Sequence, residues 1–532
     1  MSGERDWFLT SDERGNPASA LDRRNPDGAA WTTGNLVRPL VHGRTYFERL
    51  VGCLRELQAG DRMWFTDWRG DHDQVLAPDG TRLGDLLVEL VGRGVEVRGL
   101  LWRSHTKALG YHAEEHTELA ERVNEAGGLV MLDERVRRAG SHHQKMVILR
   151  HPGRPASDVA FVGGIDLCHG RGDDAEHRGD PQPEEMDPAY GPTPPWHDVQ
   201  TEVHGPAIGD IAMTFWERWN DRTPLERRTP WNRIRATLGR QPVRTERIGA
   251  LEPDPPPAGR ASVQVLRTYP EKTPPYPFAP RGERSVAREY HKAFARARRL
   301  VYVEDQYLWS GEIADLYVQA LRDNPGLRVI VVVPRVPDRN GVVSGPAHRI
   351  GQVEVLHKVH DAGGDRMAVY DLENELGTPI YVHAKVVVID DVLAAVGSDN
   401  MNRRSWTHDS EISLAVLEAD RDDREPLDPA GLGDGVRRFA RDLRLQLMRE
   451  HLAAESDEGL LDPDEAFSAF ARSAAALEAW HRGGRVGARP AGRLRPHHLR
   501  ELHPWEVWAG PLYRTVVDPD GRPRDLRRTR GF

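Results

Sequence analysis

Two short segments, His143-Gln144-Lys145 and His383-Ala384-Lys385, each place an imidazole and an ammonium two positions apart beside an apolar, strand-like run. An imidazole can attack phosphorus or shuttle a proton, and an ammonium can neutralise a nonbridging phosphate oxygen. One such pair on its own reads as a solvated strand face. Two in matching contexts point to one site built from two halves. Phe161-Val162-Gly163-Gly164-Ile165-Asp166 follows the first, and Gly397-Ser398-Asp399-Asn400 follows the second. If each histidine lies on a strand, its lysine projects from the same face. Gly164 and Ser398 are expected to let backbone approach an anion, Asn400 to supply an amide donor, and Asp166 to occupy the place of Asn400 in the first half. Together these residues suit a phosphate.

The elements that must position them form an α/β pattern that occurs twice. In the first half strands are expected at Asn35–Pro39, Asp61–Trp68, Val95–Trp102, Leu129–Leu132 and on the His143 segment, with helices over Gly43–Gln58, Leu83–Val91 and Ala113–Ala126. In the second half strands are expected at Val263–Leu266, Leu300–Gln306, Leu327–Val333 and on the His383 segment. Its helices are expected over Ser285–Ala297, Ile313–Arg322 and Val353–Asp361. Asp67 precedes His143 by 76 positions and Asp305 precedes His383 by 78, which favours duplication. Proline-rich stretches at Ala250–Pro257 and Thr273–Pro280 join the halves. The segment Arg171–Pro195, mixed in Asp, Glu, Gly and Pro, exceeds an ordinary connection and is expected to form a loop over the site mouth. Further helices are expected over Val436–Leu452 and Asp464–Trp480. The domain reading is therefore residues 1–245, 246–455 and a C-terminal extension, 456–532.

Composition bounds the function. The 532 residues carry a net charge of -9, which gives no global basic footprint and weighs against a nucleic-acid substrate. No apolar stretch reaches the length of a membrane span, and the start lacks a secretory pattern, so a cytoplasmic protein with at most peripheral membrane contact is expected. Cys53 and Cys168 are the only cysteines and fit no metal or disulfide pattern. His169, just ahead of the Arg171–Pro195 loop, and His177, within it, have no defined ligand spacing and read as solvated. Trp64, Trp68, Trp102 and Tyr307, at strand ends, read as core aromatics that could also line a mouth.

Tyr381 to Asp390 with Gly397 to Asn400 resembles the signature of the phospholipase D superfamily, His-x-Lys-x4-Asp followed by Gly-Ser-x-Asn and present twice. The first copy departs from it: Arg150 stands where Asp390 stands in the second, and Gly-Gly-x-Asp replaces Gly-Ser-x-Asn. Because that aspartate lies several residues beyond the His and Lys, its loss is expected to bear on stability more than on chemistry. His142 to Leu149, Phe161 to Cys168, Pro195-Trp196-His197-Asp198 and Tyr302 to Tyr307 are similar to plant and eukaryotic-type members, and the resemblance covers roughly residues 30 to 455. No amino-terminal calcium-binding C2 domain is expected, so calcium dependence is not carried over.

The resemblance implies two similar α/β lobes, each a mixed sheet flanked by helices, with the site at their interface. It implies His143 as nucleophile, His383 as general acid and then base, and Lys145, Lys385 and Asn400 on the phosphate oxygens. Exchanged roles for the histidines would leave the same signature. It further suggests that Asp198 orients His143 and Glu411 orients His383. These residues supply both charge and protons, so no metal and no cofactor is expected. The expected reaction is cleavage of a glycerophospholipid to phosphatidic acid and a head alcohol through a phosphohistidine, with transfer to another alcohol as a variant. Alternatives are a cardiolipin synthase-like phosphatidyltransferase, a phosphodiesterase acting on nucleic acid, and a catalytically silent lipid-binding module.

Overall fold

The first half folds around seven strands of one mixed sheet. In chain order the strands are β1 (Thr32–Val41), β2 (Arg62–Asp67), β3 (Glu96–Trp102), β4 (Leu129–Asp133), β5 (Met146–Arg150) and β6 (Val159–Gly163), then the two-residue β7 (Trp196–His197) outside that sheet, and β8 (Val199–His204). Spatially the order is β1-β8-β6-β5-β2-β3-β4, antiparallel up to β2 and parallel beyond it. These assignments come from a computed structural model that describes residues 2–25, 28–103, 113–225, 246–338, 344–498, 506–529 and 531–532. The expected boundary at residue 245 lies outside the described residues.

The second half repeats the order. Its strands are β9 (Ala261–Tyr269), β10 (Glu283–Arg284), β11 (Leu300–Glu304), β12 (Arg328–Val332), β13 (Met367–Glu373), β14 (Pro379–Val382), β15 (Val386–Ile389), β16 (Leu393–Gly397), β17 (Glu411–Glu418) and β18 (Leu494–Pro496). The sheet runs β9-β17-β16-β15-β11-β12-β13, again antiparallel up to β11 and parallel beyond it. Equivalent neighbours recur, as in Trp64 opposite Ile148 and Tyr302 opposite Val388. β18 pairs with β13, which ties the C-terminal region to this sheet.

Both sheets are covered on both faces, which explains their near-continuous apolar strands. Ile330 and Val332 face a central core that also receives Ile148 and Val162 of the first sheet, together with Ile211 and Phe215 of helix Ala207–Asn220 and Leu443 and Leu447 of helix Arg438–Leu452. Val329 and Val331 face outward onto helices Ser285–Arg296 and Gly311–Asp323. On the other side of the molecule, Met63 and Phe65 pack against helices Gly43–Arg55 and Leu83–Gly92. The expected elements are present, most with small shifts at their ends, although the helix expected over Val353–Asp361 begins nine residues earlier, at Ser344. The exceptions are the two His-x-Lys segments, which lie in irregular backbone just ahead of β5 and β15 and are not on strands. Among the described residues, no helix is long and apolar enough to cross a membrane.

Candidate active site

Each His-x-Lys segment runs beside a strand of the opposite half. His142 forms a parallel bridge with Ser410, and the His143 backbone N–H donates to the Ser410 carbonyl at 2.9 Å. In the same way β14 pairs in parallel with β7, Tyr381 opposite Trp196 and Val382 opposite His197, and the His383 N–H donates to the His197 carbonyl at 2.7 Å. The residue after Ser410 is Glu411 and the residue after His197 is Asp198. The cross-half pairing therefore delivers each acid to the histidine of the other half.

The side chains meet accordingly. His143 Nδ1 lies 2.9 Å from Glu411 Oε2, and His383 Nδ1 lies 2.7 Å from Asp198 Oδ2. This corrects the expectation from sequence, which assigned Asp198 to His143 and Glu411 to His383. Each acid follows its own signature, Asp198 55 positions after His143 and Glu411 28 after His383, and nothing in the linear order distinguishes a partner within the half from one across it. With Nδ1 held by a carboxylate, the other ring nitrogen, Nε2, is the one left for chemistry.

Burial, and then the neighbouring lysine, push the His143 imidazole well below its ordinary range; burial, then Lys385, Arg171 and Lys145, do the same to His383. Both shifts favour the neutral ring. Each histidine feels the lysine of the opposite half as well as its own, which is the electrostatic sign that the two halves share one site. Lys145 Nζ reaches the His143 carbonyl at 3.2 Å, and Lys385 Nζ donates to the His383 carbonyl. Burial lowers Lys385 to about 8 against the pull of Asp198 and Asp305. Burial raises Glu411 to about 7, opposed by Lys145 and by the Ser398 hydroxyl, and burial raises Asp198 as well.

The residues expected to cradle phosphate divide into two groups. Gly164 and Ser398 are corrected: their backbone N–H groups donate to Val199 and Ile412 carbonyls at 3.0 and 2.9 Å, so neither is presented to an anion. They shape the acids. The Ser398 hydroxyl donates to Glu411 Oε2 at 2.5 Å, and a Cβ on Gly164 would stand 2.2 Å from Asp198 Oδ1. Asp166 and Asn400 behave differently. Asp166 Oδ1 is 3.4 Å from Lys145 Nζ, so this carboxylate orients the lysine. Burial pushes Asp166 up, but Lys145 and the adjoining Asp67 carboxyl carry it below the usual range, while Asp67 itself is driven well up by burial and by Asp166. Asn400 is buried, and its Oδ1 has no hydrogen-bond partner among the described residues.

Three neighbours were not legible in the sequence as site residues. Arg171 is buried, 3.9 Å from Asp166 Oδ2 and 3.9 Å above the Trp196 ring. It anchors the Arg171–Pro195 segment, which packs in place with Asp173, His177 and Tyr190 buried and is no free lid. Gln306 Oε1 lies 3.4 Å from Lys385 Nζ, and its amide nitrogen donates to the Tyr381 hydroxyl at 2.7 Å. Trp196 packs 4.8 Å from the His383 ring, while Trp68, an aromatic expected as core, stands 6.0 Å from His143 with its ring stacked on Trp102. His177 also departs from expectation: it is fully buried beside His42, His197 and Glu450. These four come from distant parts of the chain, so no ligand spacing could announce them.

The Asp of the signature has the supporting place expected of it. The Asp390 carboxylate accepts backbone N–H groups of Arg298, Arg299 and Leu300 at 2.7 to 2.8 Å, tying the β15 end to the start of β11. In the first half Arg150 instead pairs with Asp158 at 2.7 Å and donates to the Pro253 carbonyl at 2.8 Å.

With the geometry in hand, comparison with known proteins is informative. A family model described as Phospholipase D matches residues 71–314, a span that includes the first His-x-Lys and stops short of the second. Bovine phospholipase D2 is 26% identical over 505 residues, covering 77% of this chain and 52% of its own length. Rice phospholipase D alpha 2 is 25% identical over 533 residues, covering 76% of this chain and 63% of its own length. The chain thus spans between half and two thirds of these relatives. Among solved structures, the phosphatidylserine synthase of Haemophilus influenzae Rd KW20 covers 72% of this chain and 82% of its own, with a TM-score of 0.50 and 14% identity, a likeness of fold.

Proposed function

We propose that the chain, as a member of the phospholipase D superfamily, cleaves the distal phosphodiester of a glycerophospholipid through a covalent phosphohistidine. The observation that carries this reading is the convergence of two neutral imidazoles, each held at Nδ1 by a buried carboxylate, with Lys145 and Lys385 beside them. Two histidines in opposite protonation states are what displacement of an alkoxide from phosphorus requires.

In this scheme the phosphodiester anion enters between the lysines, and its charge draws a proton onto His383. His143 Nε2 attacks phosphorus, the bond from phosphorus to the headgroup oxygen breaks, and His383 gives its proton to that oxygen. The headgroup alcohol leaves. Neutral His383 then takes a proton from water, whose oxygen attacks the phosphohistidine; the P–N bond breaks and phosphatidic acid departs. An alcohol in place of water gives the corresponding phosphatidyl alcohol by the same step. Glu411 keeps the His143 lone pair aimed at phosphorus, and Asp198 stabilises the His383 imidazolium. Lys145, Lys385 and Asn400 meet the nonbridging oxygens as charge spreads over them. The assignment of His143 as nucleophile follows the family order.

Incubation with phosphatidylcholine vesicles plus a primary alcohol should yield phosphatidic acid and phosphatidyl alcohol, whereas plasmid DNA should remain uncut. Failure to process any common phospholipid, together with cleavage of DNA, would replace this reading with a nuclease.

A further inference from the structure

Behind the Asp198–His383 pair lies a cluster that the proposed chemistry does not use. His42, His177, His197 and Glu450 each contribute one nitrogen or oxygen, all within 4.8 Å of one another. The three imidazoles are buried. His177 Nδ1 stands 3.2 Å from the Trp196 carbonyl, which can only accept, so that nitrogen carries the proton of a neutral ring. His197 Nε2 is 2.6 Å from the Glu304 carboxylate, which His451 Nε2 also contacts at 2.7 Å, so its proton likewise faces away from the cluster.

As neutral rings, His177 and His197 therefore point two lone pairs inward. His177 Nε2 and His197 Nδ1 lie 2.9 and 3.5 Å from the same Glu450 Oε1, and His197 Nδ1 is buried with no hydrogen-bond partner among the described residues. Lone pairs facing an anionic oxygen repel one another unless positive charge lies among them. His42 Nε2, 2.7 Å from Glu450 Oε2, completes the ring. The backbone adds a second sign: His42 and His177 have φ of 70° and 52°, left-handed values that cost a residue bearing a Cβ roughly 1–3 kcal/mol and concentrate at ligand sites.

We propose that His42, His177, His197 and Glu450 bind one divalent transition-metal ion, zinc or its like, in a closed structural site. Three imidazoles and one carboxylate form a four-donor set suited to a tetrahedral borderline cation and unsuited to calcium or magnesium, which take oxygen donors. Tetrahedral bonds of about 2.0–2.2 Å separate donors by about 3.3 Å, a value between the two Glu450 Oε1 distances above. Glu304 and the Trp196 carbonyl hold the outer nitrogens, as second partners of ligating histidines do. The ion would touch no substrate. It would lock the backbone that places the acid, since the His42 N–H donates to the Asp198 carbonyl at 2.9 Å and the His197 carbonyl accepts from both His383 and Ala384. It would also bind helix Arg438–Leu452 of the second half to the first.

The test uses the full chain, purified without a metal-affinity step, equilibrated with zinc, desalted and analysed for metal. About one zinc per chain is expected, lost in His42→Ala and in His177→Ala. Cobalt substitution should give the intense visible bands of a tetrahedral site, and the thermal midpoint of the wild type should fall with chelator and return with zinc. A wild-type chain that retains no zinc and unfolds identically with zinc or chelator would overturn the proposal, leaving protons on both imidazoles in the ion's place. Equal zinc retention by both variants would also overturn it. Should the variants not fold, the cobalt spectrum of the wild type decides, and weak octahedral bands or none at all count against the site.

Discussion

The two halves of this protein hold their histidines by the same hydrogen bond and surround them differently. In the first half His143 sits beside a lysine paired with Asp166, and the adjoining Asp67 carboxyl is driven well up by burial and by Asp166. In the second, the position of Asp166 is the amide Asn400, and Lys385 is left with a pKa of about 8 beside a polar but uncharged Gln306. The orienting acids differ too: Glu411 takes a hydroxyl from Ser398, whereas Asp198 fits only because Gly164 has no side chain. Duplication thus produced two copies of a scaffold and let each acquire its own electrostatics, which is what a nucleophile and a proton donor require.

The largest effect should come from the histidines themselves. His143→Ala and His383→Ala are each expected to lower turnover by at least about a thousandfold while the chain stays folded, because parts of one catalytic unit fail together. A phosphohistidine adduct trapped in acid should map to His143; an adduct on His383 would exchange the roles of the halves.

Next come the acids, with losses of about ten- to a hundredfold or more expected for Asp198→Asn and Glu411→Gln. Their difference is the informative part. A phosphodiester with a nitrophenolate leaving group needs no proton from His383, so it should recover much of the rate in Asp198→Asn and little in Glu411→Gln. Recovery in the Glu411 variant instead would mean that the acids serve the histidines of their own halves.

A smaller effect belongs to Lys385. If Lys385 meets phosphate as proposed, it carries the needed charge below about 8 and loses it above, so turnover should decline as pH rises through this range. Lys385→Arg should remove that limb while lowering the overall rate, since a guanidinium stays charged. The smallest functional effect is expected at Asp390. Asp390→Ala strands three backbone donors and should destabilise the second half by about 2 kcal/mol or more, seen as faster hydrogen exchange around residues 298–300, with both catalytic distances retained. Unchanged exchange there would remove Asp390 from its supporting role.

Much of this organisation is legible in the sequence, because both sheets are buried on two faces and their strands stand out as apolar runs such as Val329–Val332 and Val386–Ile389. The histidines and lysines are legible because their type and spacing repeat. What the sequence hides is relation across the halves. Asp198 and Glu411 each follow the signature of their own half, so only the parallel pairing of β7 with β14, and of His142 with Ser410, reveals the crossing. The His42–His177–His197–Glu450 cluster is hidden for the same reason, its members brought together by the fold from four separate segments. The His-x-Lys segments themselves read as strand because the apolar run is continuous, yet regular pairing with β2 and β11 begins only after each lysine.

The crossed pairing is the central claim, and the imidazole protons report on it directly. In proton NMR of the full chain, the hydrogen-bonded Nδ1–H resonances of His143 and His383, assigned by their loss in the corresponding alanine variants, should respond selectively to the acids. Asp198→Asn is expected to shift the His383 resonance and leave that of His143 in place, and Glu411→Gln to do the reverse. A His143 resonance that moves with Asp198 while that of His383 stays fixed would contradict it.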